Sequence, residues 1–173
     1  MPLLDDKRYA YQLMNAIIGG GMSSRLFQTV RERNGMCYSI YSFPSSHVDT
    51  GMFSIYVGLG QEDEAKAAKL ICNVLRDFCA EGPTREELSR CREQLKSNLL
   101  MGLESTNARM HHLGRYELFT DHVISSDELV AAYDAVTADQ VRALANEMFR
   151  FDQASICAVG NTGDEAYYRS LIG

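Results

Sequence analysis

The chain has 173 residues, of which 46% are hydrophobic and 23% charged, a composition that fits one ordinary globular domain with a single core over residues 1–173. Its net charge of −6 argues against a general nucleic-acid surface, which needs a basic patch to displace counterions. No apolar run approaches the ~20 residues of a membrane-spanning helix. Residues 1–6 also lack the basic-then-apolar pattern of a secretory signal. The five cysteines, an odd count with no C-x-x-C spacing, read as small core residues of a chain in a reducing, cytoplasmic setting.

In chain order, residues 6–18 read as a helix, with Tyr9, Leu13, Ala16 and Ile17 on one face. Gly19-Gly20-Gly21 is expected to end it through the left-handed conformation that glycine accepts. Ser23 or Ser24 can cap a second, short helix that runs to Arg33 and stops at Asn34-Gly35. Residues 37–43 and 52–58 are rich in β-formers, with Phe53, Ile55 and Val57 sharing a face, and the turn-rich run 44–51 joins them as an antiparallel pair.

Helical patterns follow. Residues 62–80 carry the stripe Ala68, Ile71, Cys72, Leu75, Phe78 and Cys79, which Gly82-Pro83 breaks. Thr84-x-x-Glu87, Ser125-x-x-Glu128 and Thr137-x-x-Gln140 are three capping boxes, each opening a helix. Ser105-Thr106-Asn107 interrupts the pattern before a helix over 108–120. The run Ala154 to Val159 reads as a buried strand ended by Gly160-Asn161, with a short helix after it. Segregated strands and helices predict an α+β fold, with a mostly antiparallel sheet covered on one face by helices. Three strands make a thin sheet for so much helix, so a further strand ahead of Met1 is expected.

The familiar catalytic signatures fail one by one. Neither H-E-x-x-H nor H-x-x-E-H occurs, and His111 and His112 are adjacent, which puts them on different helix faces. No metal site is expected in this chain. Gly21-Met22-Ser23-Ser24-Arg25 has arginine where a nucleophile elbow needs glycine, and no lysine follows the glycines as a P-loop requires. What stands out is the segment GGGMSSRLFQTVRERNGMCYSIYS over residues 19–42. Three glycines give an adaptable backbone. Arg31 lies in the last turn of the short helix, and Tyr38 opens the next strand. The Asn34-Gly35 turn can bring their polar ends together, where a guanidinium and a phenol suit a substrate carbonyl or a developing oxyanion. The bland alternative pairs Arg31 with Glu32 or Glu62 and makes Tyr38 ordinary strand packing.

The run Gly19-Gly20-Gly21-Met22-Ser23-Ser24-Arg25-Leu26-Phe27, with the later Arg31-Glu32, Gly35 and Tyr38-Ser39, resembles the carboxy-terminal domain of the insulinase (pitrilysin) family of zinc metallopeptidases, which includes the mitochondrial processing peptidase. Asp49-Thr50-Gly51, Glu87-Leu88, Leu103-Glu104-Ser105, Val136-Thr137 and Val159-Gly160 fit in order, so the resemblance spans nearly the whole chain. It implies a half-domain that faces a separate amino-terminal zinc-binding domain or subunit. That partner would hold the zinc whose bound water attacks the peptide. This half would contribute Arg31 and Tyr38, which have the family's seven-residue spacing, to hold the substrate backbone and the tetrahedral oxygen. Gly19, Gly20 and Gly21 match the place of a substrate-sensing glycine-rich loop. The implied substrate is a peptide or protein, and nucleic acid and membrane are not expected partners. Alone, the chain is expected to be inactive. The competing reading is a non-catalytic structural subunit of the same family, which has no reason to keep both Arg31 and Tyr38.

Overall fold

The structure is a computed structural model that describes residues 1–120 and 122–172. Helix α1 (Arg8–Gly19) leads through a π-helical turn (Phe27–Glu32) to strands β1 (Ser39–Ser46) and β2 (Gly51–Gly58). Six helices follow: α2 (Glu64–Glu81), α3 (Arg85–Gly102), α4 (Thr106–Thr120), α5 (Ser126–Ala135), α6 (Ala138–Met148) and α7 (Glu165–Ile172). The α+β class read from the sequence holds. All three capping boxes form as two-way hydrogen-bonded pairs, each satisfying amide groups that the first helical turn leaves without partners.

Helix α1 is the centre of the core. Ala10, Tyr11, Leu13, Met14, Ile17 and Ile18 are all buried, a wider surface than the single stripe the periodicity predicts. The helix earns this burial by packing against β1 on one side and against α3 and α6 on others. Its two ends are fixed by different means. Near the start, the Tyr11 hydroxyl donates to the Met52 carbonyl oxygen at 2.9 Å. At the end, Gly19 lies against the backbone nitrogen of Ser42, where an added Cβ would collide. The glycine run therefore does not work as the sequence suggests. Gly20 has φ −81°, and none of Gly19, Gly20 and Gly21 is among the positive-φ glycines. Close approach of α1 to β1 requires Gly19, and a left-handed closure does not.

The sheet has two antiparallel strands, with Ile40 opposite Val57 and Tyr41 opposite Tyr56. It is covered on one face, as expected. Ile40 and Ser42 are buried, and Phe53, Ile55 and Val57 pack on the core, while Tyr41, Phe43, Met52 and Tyr56 lie exposed on the other face. Both strands are longer than predicted. Pro44 pairs opposite Phe53 inside β1, a position an edge strand tolerates, so the turn shrinks to residues 47–50, where the His47 N–H donates to the Thr50 oxygen at 2.8 Å. The third predicted strand is not formed. Residues 154–159 are exposed, Val159 by 96%, and pair with no strand among the described residues. Their apolar pattern reports a wish for burial, but a strand also needs a neighbour to satisfy its amides.

The corner between α2 and α3 carries one further tie. Gly82 closes α2 at φ +75°, its N–H donating to the Phe78 oxygen at 2.8 Å. Thr84 then caps α3, and Glu87 Oε2 accepts the Thr84 N–H at 2.8 Å. The same carboxylate receives a forked pair from Arg25, Nε to Oε1 and an η-nitrogen to Oε2, both at 2.7 Å. Burial raises the Glu87 pKa, but the Arg25 and Thr84 hydrogen bonds outweigh it and hold the carboxyl below its ordinary value of 4.5. Both side chains line an open cleft, so protons reach them from water.

Two expectations follow. Gly19→Ala should destabilise the chain by about 1–3 kcal/mol through overpacking, whereas Gly21→Ala, with nothing within 4 Å of the new methyl, should stay within about 0.5 kcal/mol of wild type; urea denaturation measures both. A carboxylate whose pKa is depressed in the folded state stabilises above its unfolded pKa and loses that contribution as pH falls through the folded one. Wild-type stability should thus drop more steeply than that of Glu87→Gln as pH falls below about 4.5; parallel pH curves would show that the pair contributes nothing.

Candidate functional site

The helix that carries Arg31 begins at Ser24, which is buried and whose Oγ accepts the Phe27 N–H at 3.5 Å. Ser24, rather than Ser23, is therefore the cap. Leu26 and Val30 are fully buried and fix the inner side of the turn. From Phe27 the backbone widens to π-helical spacing, with the Arg33 N–H donating to the Gln28 oxygen, five residues back, at 3.0 Å. Such turns are rare and occur mostly as single widened turns, frequently at functional sites. The turn stops where the sequence indicates. Gly35 has φ +64°, its N–H donates to the Arg31 oxygen at 2.9 Å, and the Met36 N–H reaches the Val30 oxygen at 3.0 Å. Glycine is needed here because the left-handed conformation is strained for other residues.

This reversal delivers Tyr38 next to Arg31. The Tyr38 N–H donates to the Gly58 oxygen at 2.8 Å, continuing the β1–β2 pairing. The Arg31 guanidinium carbon lies 5.8 Å from the Tyr38 ring centre and 4.9 Å from that of Phe27, within the range of a cation–π contact. The Tyr38 side chain is 85% exposed, so it is not strand packing. Among the described residues Arg31 forms no ion pair with Glu32, Glu62 or any other acid. The site thus brings a guanidinium beside the ring of an exposed tyrosine, with no internal carboxylate of the described residues paired to the arginine. Between them in sequence, Cys37 is half-buried. Burial raises its thiol pKa against the pull of the Arg31 charge, which makes it a poor nucleophile.

The glycines are not at this pair. Gly19 meets Ser42, which lies roughly 13 Å along β1 from Tyr38 at ~3.3 Å per residue. Gly21 is open to solvent and Met22 beside it is 74% exposed. What sequence reading missed is the contact between Arg25 and Glu87. The motif contained Arg25, and the capping box contained Glu87, but nothing local signals a contact across 62 positions.

A metal would need convergent ligands, and the described residues bring no three of His, Cys, Asp and Glu together. His112 Nε2 lies 2.9 Å from the Ile124 oxygen and its ring packs edge-on to Tyr116; His122 faces Glu128 at 3.5 Å; His47 lies 3.3 Å from the Ser45 hydroxyl. Zinc does not fit these donors.

The sequence pattern of the family described as "Peptidase M16 inactive domain" matches residues 2–95, a span that holds α1, the π-helical turn, the hairpin, α2 and Glu87. A Bacillus subtilis protein named "Uncharacterized zinc protease YmxG" is 38% identical over 149 residues, which are 86% of this chain and 36% of that protein. A zinc protease so named from Streptomyces coelicolor is also 38% identical, over 83% of this chain and 31% of its own length. The chain spans about a third of these relatives. Among solved structures, a peptidase M16 inactive domain from Pseudomonas fluorescens superimposes with a TM-score of 0.76 at 25% identity, over 87% of this chain and 36% of that one. A protease from Helicobacter pylori shares the fold alone, with a TM-score of 0.74 at 18% identity over 86% of this chain and 36% of that one. The chain belongs to the peptidase M16 family of zinc metallopeptidases, as its inactive, carboxy-terminal domain.

Proposed function

We propose that this chain is the substrate-binding half of a zinc-dependent endopeptidase of the processing-peptidase kind, acting on peptides or proteins together with an amino-terminal half that holds the zinc. The observation that carries this reading is the pairing of Arg31 with Tyr38. Tyr38 is exposed and Arg31 half-buried beside it, and no acid of the described residues pairs with Arg31. Relatives named zinc proteases support the reaction class. In this reading the zinc belongs to the other half; the described residues of this chain bring no three of His, Cys, Asp and Glu together.

In this reading the chain's own residues bind and orient. The Arg31 guanidinium donates to substrate backbone carbonyls, and the Tyr38 hydroxyl donates to the oxygen on which negative charge develops as the carbonyl is attacked. Donors fixed beforehand stabilise that charge without reorganising. The Phe27 ring beneath Arg31 limits the rotamers the guanidinium explores. Gly19, Gly20 and Gly21 belong to substrate sensing only through Gly21, the one with open space around it. The free thiols suit a reducing compartment, and we place the complete enzyme in the cytoplasm.

In the complete enzyme, Tyr38→Phe and Arg31→Ala should each lower kcat/KM by about 10²-fold with zinc content unchanged; full activity in both variants would remove the assigned roles and favour a structural subunit. The isolated chain should bind no zinc and cleave nothing, and mixing with a zinc-binding half should give endopeptidase activity. Stoichiometric zinc and cleavage by the chain alone would overturn the reading.

A further inference from the structure

We infer that Arg25 and Glu87 are positioning residues for the reaction, acting through Arg31 and Tyr38; the inference rests on the reading that those two residues touch substrate. The contacts of Arg25 and Glu87 run to one another, to Gly82, Thr84 and Phe78, and none of these reaches Arg31 or Tyr38, so neither is proposed as a catalytic residue itself. They act on how the π-helical turn is held.

Consider what fixes that turn. With about 100° per residue at its α-helical start and less where the backbone widens to π spacing from Phe27, Leu26 and Val30 still form one stripe, with Arg25 flanking it on one side and Phe27 and Arg31 on the other. Leu26 and Val30 are fully buried. Apolar burial is non-directional, so it holds the stripe inward but resists a roll of the turn about that stripe only weakly. A roll would swing Arg31 away from Tyr38, because Tyr38 is tied separately to Gly58 of β2. The opposite flank supplies what burial lacks. Arg25 grips Glu87 through two parallel hydrogen bonds of 2.7 Å and the Gly82 carbonyl oxygen at 2.9 Å. Its guanidinium also lies 4.9 Å over the fully buried Phe78 ring. A bidentate arginine–carboxylate pair fixes angle as well as distance.

The other end of the tether is equally fixed. Glu87 is held by the Thr84 capping box, so its carboxylate does not follow a roll of the turn. A second contact from α3 runs in the same direction, Arg90 donating to the Ser23 oxygen at 3.2 Å. Helix α3 thus grips the loop before the turn and the first residue of the helix. The pair is only partly shielded, with side chains 18% and 19% exposed, so its main product is orientation rather than net stability.

Glu87→Gln separates the two roles of this residue. Glutamine at the third helical position still completes a capping box, so α3 keeps its start while the charged fork to Arg25 is lost. In the complete enzyme, Glu87→Gln should lower kcat/KM by about tenfold, in line with the sensitivity of catalysis to small displacements, with zinc content unchanged and only the modest fall in melting temperature that loss of the ion pair's stabilisation brings. Arg25→Lys, which keeps the charge but not the fork, should do the same and serves if Glu87→Gln does not fold. The deciding measurement is a double-mutant cycle. In an Arg31→Ala background, Glu87→Gln should cause no further loss, because the group it positions is gone. An equal tenfold loss in both backgrounds would mean general structural damage and overturn the inference. Full activity of Glu87→Gln and Arg25→Lys, with Arg31→Ala impaired, would overturn the inference alone. Full activity of Arg31→Ala and Tyr38→Phe would overturn the underlying reading together with it.

Discussion

Enclosure of α1 is the constraint on which the rest of the structure depends. One twelve-residue helix presents buried side chains to β1, α3 and α6 together, so those elements have to arrive around it. The sheet side demands the closest approach, and Gly19 permits it where any Cβ would strike Ser42. Ser42 is itself a buried polar residue, and its hydroxyl donates to the Asn15 side chain at 2.7 Å. Close packing therefore does not leave that hydroxyl unpaired, which would cost about 1–3 kcal/mol. The helical side is closed by Tyr133, edge-on to Tyr9 at 5.2 Å and hydrogen-bonded to Gln12. Arg92 completes this side, donating to the Tyr133 and Val136 oxygens at the end of α5, where helix carbonyls lack partners.

Scaffold and site are built from different forces. Apolar burial assembles the scaffold and tolerates small sliding and rolling. The proposed site would tolerate neither, since a guanidinium and a phenol would meet a bound substrate only from fixed positions. Directional contacts accordingly concentrate around it: the Arg25–Glu87 fork, the Gly35 reversal with its two backbone bonds, and the Tyr38 bond to Gly58. Arg31 sits on the π-helical turn that α3 grips through Arg25, and Tyr38 is tied to β2, with the Gly35 reversal between them.

The hairpin and the run 154–159 show what hydrophobic patterning can convey. Phe53, Ile55 and Val57 alternate along β2, and all three pack on the core as their spacing indicates. Tyr41, Phe43 and Tyr56 are equally apolar but face outward, with Tyr41 stacked on Tyr56 at 5.1 Å. Ile156 and Val159 read as buried and are exposed. Hydrophobicity states a preference. Which face is filled depends on what other elements the chain brings, and that is settled over distances no local window covers.

Local signals determined much of this protein. The three capping boxes, the stop at Gly35, the break at Gly82-Pro83, the α+β class and the nearness of Arg31 to Tyr38 were all legible, because each depends on residues within a few positions and on backbone chemistry. The motif around residues 19–42 determined the family for the same reason. Only the tertiary structure decided that Gly19 serves close packing, that α1 is buried on several sides, that residues 154–159 lie unpaired, and that Arg25 meets Glu87. Those outcomes turn on contacts between segments tens of residues apart, whose free energies depend on shape and orientation that a sequence pattern does not carry.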